Sequence, residues 1–186
     1  MAIVVQKFGG TSVATPERIM SVAQRIVNRK RSGDKVVAVV SAMGKTTDEL
    51  VGLAAAVNEN PPTREMDRLL STGEQVSMSL LAMAIDALGC PAMSFTGRQA
   101  GIVTDNTHNK AKIVSVDSER ILEALDAGFI PVVAGFQGID KTSFHSTFLA
   151  LYKSCGDCYA VDTAYPRGPG RTRLISLSHN PEFGGP

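Results

Sequence analysis

The chain has 186 residues, 44% of them hydrophobic, which suits a single buried core or one domain with a fragment of another. Its formal net charge is only +1, which excludes the strongly basic surface that nucleic acid or an anionic membrane would require. Aromatic residues make up 5% and Trp is absent, so there is little from which to build base-stacking platforms. Three cysteines, Cys90, Cys155 and Cys158, do not make a disulfide framework and suit a reducing compartment. The start, MAIVVQK, lacks a basic stretch followed by a long apolar core, and no apolar run reaches the roughly 20 residues of a membrane helix. The expectation is a soluble, cytoplasmic protein with neither a nucleic-acid nor a membrane partner.

In chain order, AIVVQ predicts a short buried strand rich in β-branched residues. TPERIMSVAQRIVNRKRSG predicts a helix. Thr15 can cap it, Pro16 suits the first helical position, Glu17 complements the dipole and Gly33 ends it. KVVAVVSAM (35–43) is apolar throughout, as a strand covered on both faces would be. A helix follows from about Thr46–Asp48, with Leu50, Leu53, Ala54 and Val57 on one side, until NENPP (58–62) breaks it. Arg64–Leu88 has a helical pattern interrupted at STGEQ (71–75). AMSFTG (92–97) and KIVSV (112–116) predict strands, Ser118–Ala127 a helix stopped by Gly128, and FIPVVAGFQG (129–138) one further apolar strand. Strands alternating with helices imply an α/β fold around a mostly parallel sheet. Beyond residue 140 the patterning weakens, proline and glycine concentrate, and the one helical pattern lies at 147–154.

In open α/β sheets ligands bind beyond the carboxyl ends of strands. Lys7, Gly9 and Gly10 lie at such an end, where paired glycines admit an anion to the backbone and the lysine supplies a point charge. The loop has neither the Walker A nor the GxGxxG spacing, and a tight strand-to-helix turn with a solvated lysine is the plain alternative. The loop SAMGKTTDEL (41–50) brings the hydroxyls of Ser41, Thr46 and Thr47 to the same rim if the two strands are neighbours; helix capping by Thr46 or Thr47 is its alternative. Glu74, at the glycine break in an apolar segment holding Val76, Leu80, Leu81 and Met83, could grip an ammonium group or simply face solvent in the first turn of a new helix. Cys155 and Cys158 with His145 and His179 match no familiar zinc spacing, and His108, His145 and His179 lie in loop-like sequence where solvation is the expectation.

Taken together, QKFGGTSV (6–13), VVSAMGKTTDEL (39–50), LLSTGEQV (69–76), SFTGRQAGI (94–102) and VVAGFQGID (132–140) resemble the catalytic domain of the aspartate kinases, members of the amino-acid kinase superfamily. Five motifs in order over residues 1–140 are far more specific than any one of them. The resemblance implies a three-layer α/β sandwich around a mostly parallel sheet. It implies transfer of the ATP γ-phosphoryl group to the β-carboxylate of L-aspartate, giving 4-phospho-L-aspartate for lysine, threonine and methionine synthesis, with Mg²⁺ as cofactor. On it, Lys7, Phe8, Gly9 and Gly10 line the ATP phosphates, Lys7 acts as the catalytic cation and Ser41 flanks the phosphate channel. Thr47 and Glu74 hold aspartate, Glu74 by its α-ammonium, and no protein residue is a metal ligand. The partners it implies are ATP and L-aspartate, with a homo-oligomer or association with intact kinase chains on the protein side.

The likeness stops at residue 140. The family continues with a Thr-Thr-Leu-Gly-Arg-Gly-Gly-Ser-Asp segment whose arginine, serine and aspartate contact substrate and phosphate, and this sequence lacks it. YAVDTAYPR (159–167) only echoes the family's nucleotide loop, Arg98 replaces a Trp or small polar residue, and the ACT-type regulatory domains are absent. The expectation is therefore the N-terminal part of a kinase catalytic domain at 1–140 and an aberrant or degenerate tail at 141–186, such as a frameshift would leave. Two other functions stay open: a non-catalytic remnant, and another acyl or amino-acid kinase of the superfamily.

Overall fold

The structure, a computed structural model, describes residues 2–108 and 111–140 in full, together with the backbone of three short strands beyond them. The elements run β1 (Ile3–Phe8), a 3₁₀ turn (Gly10–Val13), α1 (Pro16–Arg31), β2 (Lys35–Val40), α2 (Thr46–Val57) and α3 (Thr63–Ala87). β3 (Ala92–Phe95), β4 (Ile102–Thr104), β5 (Ile113–Val116), α4 (Glu119–Asp126), β6 (Ile130–Ala134) and β7 (Gln137–Asp140) follow. The short strands are β8 (Ser146–Phe148), β9 (Tyr159–Val161) and β10 (Leu174–Ser176).

α1 forms as its sequence predicts. The Arg18 N–H donates to Thr15 Oγ1 at 3.3 Å, Pro16 occupies the first turn beside Glu17, and Gly33 closes the end at φ +102°. Its Ile19, Val22, Ala23, Ile26 and Val27 are all buried.

The main sheet has the order β10-β9-β1-β2-β6-β3, with β1, β2, β6 and β3 parallel. One face packs against α1 and α3 through Val36, Ala38, Val40, Val132, Leu81 and Ile85, and the other meets Ala124 and Leu125 of α4. Helices on both faces make the three layers, and double coverage is why β2 and β6 carry almost no polar residue. Register aligns Phe8 with Val40 and Val40 with Ala134, so β1, β2 and β6 end at one rim.

Several boundaries differ from the sequence expectation. α3 is one unbroken helix of 25 residues through STGEQ, because Gly73 is where α2 closes on α3. A Cβ there would stand 3.1 Å from Ala42 Cβ and 3.3 Å from Thr46 Cγ2, so close packing outweighs the roughly 1 kcal/mol a helical glycine costs. FIPVVAGFQG is two strands in two sheets: Phe136, at φ +47°, turns the chain out of β6 into β7. β7 belongs to a second sheet, order β5-β4-β7-β8, which the simple alternation of strands and helices did not predict.

α2 buries none of its residues, and Leu53 and Val57 are exposed. The tail also contributes structure: β9 pairs antiparallel with β1, Ile3 opposite Val161, and β10 pairs with β9. Residues 147 and 148, expected to start a helix over 147–154, belong to strand β8, which pairs with β7. The rest of that expected helix, with Cys155, Cys158, His145 and His179, lies outside the described residues.

Candidate active site at the ends of β1, β2 and β6

Three strand-end loops are stitched together by main-chain hydrogen bonds. Ser41 N–H donates to the Phe8 carbonyl at 3.1 Å, Gly44 N–H to that of Gly10 at 3.0 Å, and Gly135 N–H to that of Val40 at 2.8 Å. The backbones come this close because Gly10 has no side chain: a Cβ would lie 2.6 Å from the Ala42 carbonyl oxygen. At Gly9 a Cβ would meet nothing within 4 Å.

The structure brings Lys7, Gly9, Gly10 and Ser41 to one rim, all half-buried, which meets the condition that β1 and β2 be neighbours. The Phe8 ring turns the other way into the core, leaving only its main chain at the loop. Lys7 Nζ lies 5.5 Å from the centroid of the Phe136 ring, a cation–π contact that steadies a flexible side chain. Thr47 is half-buried in the first turn of α2. Neither Thr46 nor Thr47 caps that helix; Lys45 holds the N-cap position without a side-chain hydrogen bond.

Glu74 is not a solvent-facing residue of a first helical turn. It sits mid-helix in α3 with 1% of its surface exposed, and its Oε2 has no hydrogen-bond partner among the described residues. Burial pushes its carboxyl well above the usual range; a hydrogen bond from the Gln137 side chain and the charge of Lys7 pull the other way. A buried carboxylate with an unused oxygen, beside a lysine, is an unfavourable arrangement for folding alone.

Other buried polar residues of this region escaped the sequence. Asp67, Ser71, Glu74 and Ser77 form a buried polar stripe along α3, and Thr104, Gln137 and Asp140 of the second sheet are buried as well. The stripe repeats at helical spacing, so it was visible as a pattern, but polar residues at that spacing read equally well as a solvated face. His108 is not solvated as expected: its Nδ1 lies 2.8 Å from Oδ2 of the fully buried Asp67. The β4–β5 connection that carries it is clasped by Asp105, whose Oδ1 accepts from the N–H groups of Thr107 and Lys112. His108→Ala should cost about 1–3 kcal/mol, the usual penalty for withdrawing a hydrogen-bond partner from a buried polar group, measured as a shift of the urea midpoint.

The sequence profile described as the Amino acid kinase family matches residues 2–161. The chain belongs to that family. Among curated relatives, the aspartokinase of Corynebacterium efficiens is 57% identical over 176 residues, 95% of this chain and 41% of that protein. The aspartokinase of Bacillus sp. (strain MGA3) is 52% identical over 164 residues, 88% of this chain and 39% of that one. The chain thus spans about two fifths of the length of these relatives. Among solved structures, the aspartate kinase of Synechocystis superposes with a TM-score of 0.67 at 48% identity, covering 82% of this chain and 24% of that one. E. coli aspartokinase III, solved in complex with aspartate and ADP, shares the fold at a TM-score of 0.68 and 20% identity, over 80% of this chain and 43% of its own.

Proposed function

We propose that this chain carries the amino-acid side and part of the phosphate side of an aspartate kinase site, which transfers the ATP γ-phosphoryl group to the β-carboxylate of L-aspartate. The observation that carries this reading is Glu74: a buried carboxylate with an unpartnered oxygen, next in α3 to the Gly73 that packs on Thr46, and close enough to Lys7 to feel its charge. An α-ammonium group would satisfy that oxygen and offset the cost of its burial. Thr47 would complete the amino-acid pocket. The strand-end loops would cradle the nucleotide phosphates, with Lys7 countering charge on the transferring group and Ser41 beside it.

The reaction asks for little covalent help. The β-carboxylate is ionised at neutral pH and attacks without a general base, so catalysis is positioning and charge stabilisation. The product, 4-phospho-L-aspartate, is the acyl phosphate from which lysine, threonine and methionine synthesis starts. Among the described residues no three His, Cys, Asp or Glu side chains gather as a metal cage. Mg²⁺, which commonly binds through substrate phosphates and water, is assigned to the nucleotide. Residues 141–186 are assigned to a tail that departs from the family's arginine-containing segment; a missing catalytic arginine costs phosphoryl transfer about 10³-fold or more.

The test is ATP-dependent aspartyl hydroxamate formation by the 186-residue chain, with Lys7→Ala beside it. Turnover that falls about 100-fold in Lys7→Ala is the expected result, the size of losing one preorganised charge contact. A folded chain that binds neither ATP nor aspartate would support the non-catalytic remnant, and turnover untouched by Lys7→Ala would remove the lysine from the mechanism. Association with intact kinase chains is checked by co-purification with a full-length relative.

A further inference from the structure

Phe136 turns the chain from β6 into β7 at φ +47°, a left-handed conformation that only glycine adopts without steric cost. Gly135 and Gly138 stand close by, and a phenylalanine nevertheless occupies this position. The turn is held from both sides. Before it, the Gly135 N–H donates to the Val40 carbonyl at 2.8 Å; after it, Gln137 Nε2 donates to the main-chain carbonyl of Ser71 at 2.7 Å. Gly97, following β3, comes so close that a Cβ there would lie 2.2 Å from the Gln137 carbonyl oxygen. A residue strained and clamped in this way presents its side chain in one fixed direction, and such strain gathers at functional sites.

The direction is that of Lys7. The Phe136 ring is half-buried, and Lys7 Nζ lies over it, 5.5 Å from the centroid. Among the described residues no salt bridge holds Lys7, and Glu74 on the neighbouring helix keeps one oxygen unpartnered. An ion pair between these two groups would serve folding, and it would also consume both charges. A ring is a different seat for an ammonium group from a carboxylate. Its quadrupole attracts the cation and adds no net charge of its own.

We propose that Phe136 is a positioning residue for Lys7: its ring, aimed by the left-handed turn, seats the ammonium group at the phosphate rim with its charge undiminished for the γ-phosphoryl group. This rests on the reading that Lys7 meets that phosphate. The contact restrains a long, flexible stem before the ligand arrives, so less freedom is lost when it binds. It also leaves the Glu74 carboxylate to its own ligand.

The experiment is calorimetric titration of the chain with ATP and, separately, with ADP, each in the presence of Mg²⁺. The chains compared are the wild type, Lys7→Ala, Phe136→Leu, Phe136→Tyr and Phe136→Asn. Leucine keeps apolar bulk and removes the ring; tyrosine restores a ring. Asparagine tolerates the left-handed conformation and serves if the leucine variant does not fold. The wild type is expected to prefer ATP to ADP, and Lys7→Ala to lose that preference. In Phe136→Leu and Phe136→Asn, affinity for ATP is expected to fall about fivefold, the equivalent of a cation–π contact of ordinary strength, while affinity for ADP holds. Phe136→Tyr is expected to recover most of the preference. A loosened rim would weaken both nucleotides alike. Equal losses for ATP and ADP, an undiminished preference in a folded variant without the ring, or no recovery in Phe136→Tyr therefore overturns the proposal while leaving Lys7 in place. A wild type that binds no ATP, or a Lys7→Ala variant with its preference intact, overturns the parent reading and the proposal together.

Discussion

Glu74→Gln is expected to raise the KM for aspartate by about 10³-fold and, in the same molecule, to make the fold more stable. The first effect follows from removing one charged partner of a desolvated, hydrogen-bonded ion pair, typically worth about 4 kcal/mol or three decades in affinity. The second follows from linkage. The carboxyl of Glu74 is raised in the folded state from an ordinary value of 4.5, with burial as the main cause. A raised acid costs nothing while the group is protonated in both states. The cost grows as pH climbs past the unfolded value and levels off only above the folded one. At neutral pH the wild type therefore bears the penalty of a buried, half-satisfied carboxylate, on the order of 1–3 kcal/mol, which the neutral glutamine does not. Thermal melts of both chains from acid to neutral pH check this: the two should converge at low pH and separate as pH rises. Saturating aspartate should stabilise only the wild type. A glutamine variant less stable than the wild type at neutral pH would show that Glu74 is a structural residue.

That trade explains where the sequence was legible and where it was not. β1, α1 and β2 could be read directly because propensity, capping and apolar period agree there. The rim site was legible for a similar reason, since Lys7 and the Gly9–Gly10 pair stand at the end of an unmistakable buried strand. α3 was less legible. Its apolar residues run around the helix: Val76, Leu80 and Met83 are exposed, while Glu74, for which solvent was one reading, is inside with Asp67. Nothing local distinguishes the two faces; what decides is the second sheet, whose β7 supplies Gln137 and leaves β6 at a left-handed residue, Phe136. Gly73 misled for a related reason. As a local signal it breaks a helix, and in the packed molecule it is where Thr46 and Leu50 of α2 close on α3. The site is assembled by long-range contacts, and single-sequence patterns report short-range ones.

The two adjacent glycines of QKFGG should separate under substitution, because the structure gives them different neighbours. Gly10→Ala places a methyl group 2.6 Å from the main-chain carbonyl of Ala42. No flexible side chain can yield there, so the β1 and β2 loops must part and the Gly44-to-Gly10 hydrogen bond with them. The expected cost is about 3 kcal/mol, at the upper end for overpacking, with ATP binding abolished as the loops lose their register. Gly9 sits at φ −73° and ψ 167°, extended backbone open to any residue, with nothing within 4 Å of a Cβ. Gly9→Ala should therefore leave the urea midpoint within about 0.5 kcal/mol of wild type, as at other unencumbered sites. If the loop cradles phosphate through its backbone, the added methyl stands in the ligand's approach, and affinity for ATP should fall about tenfold or more while aspartate binding is unchanged. A loop that is only a tight turn predicts the same stability pair and no effect of Gly9→Ala on ATP. Stability cannot tell the two accounts apart, and ATP affinity in the Gly9 variant can.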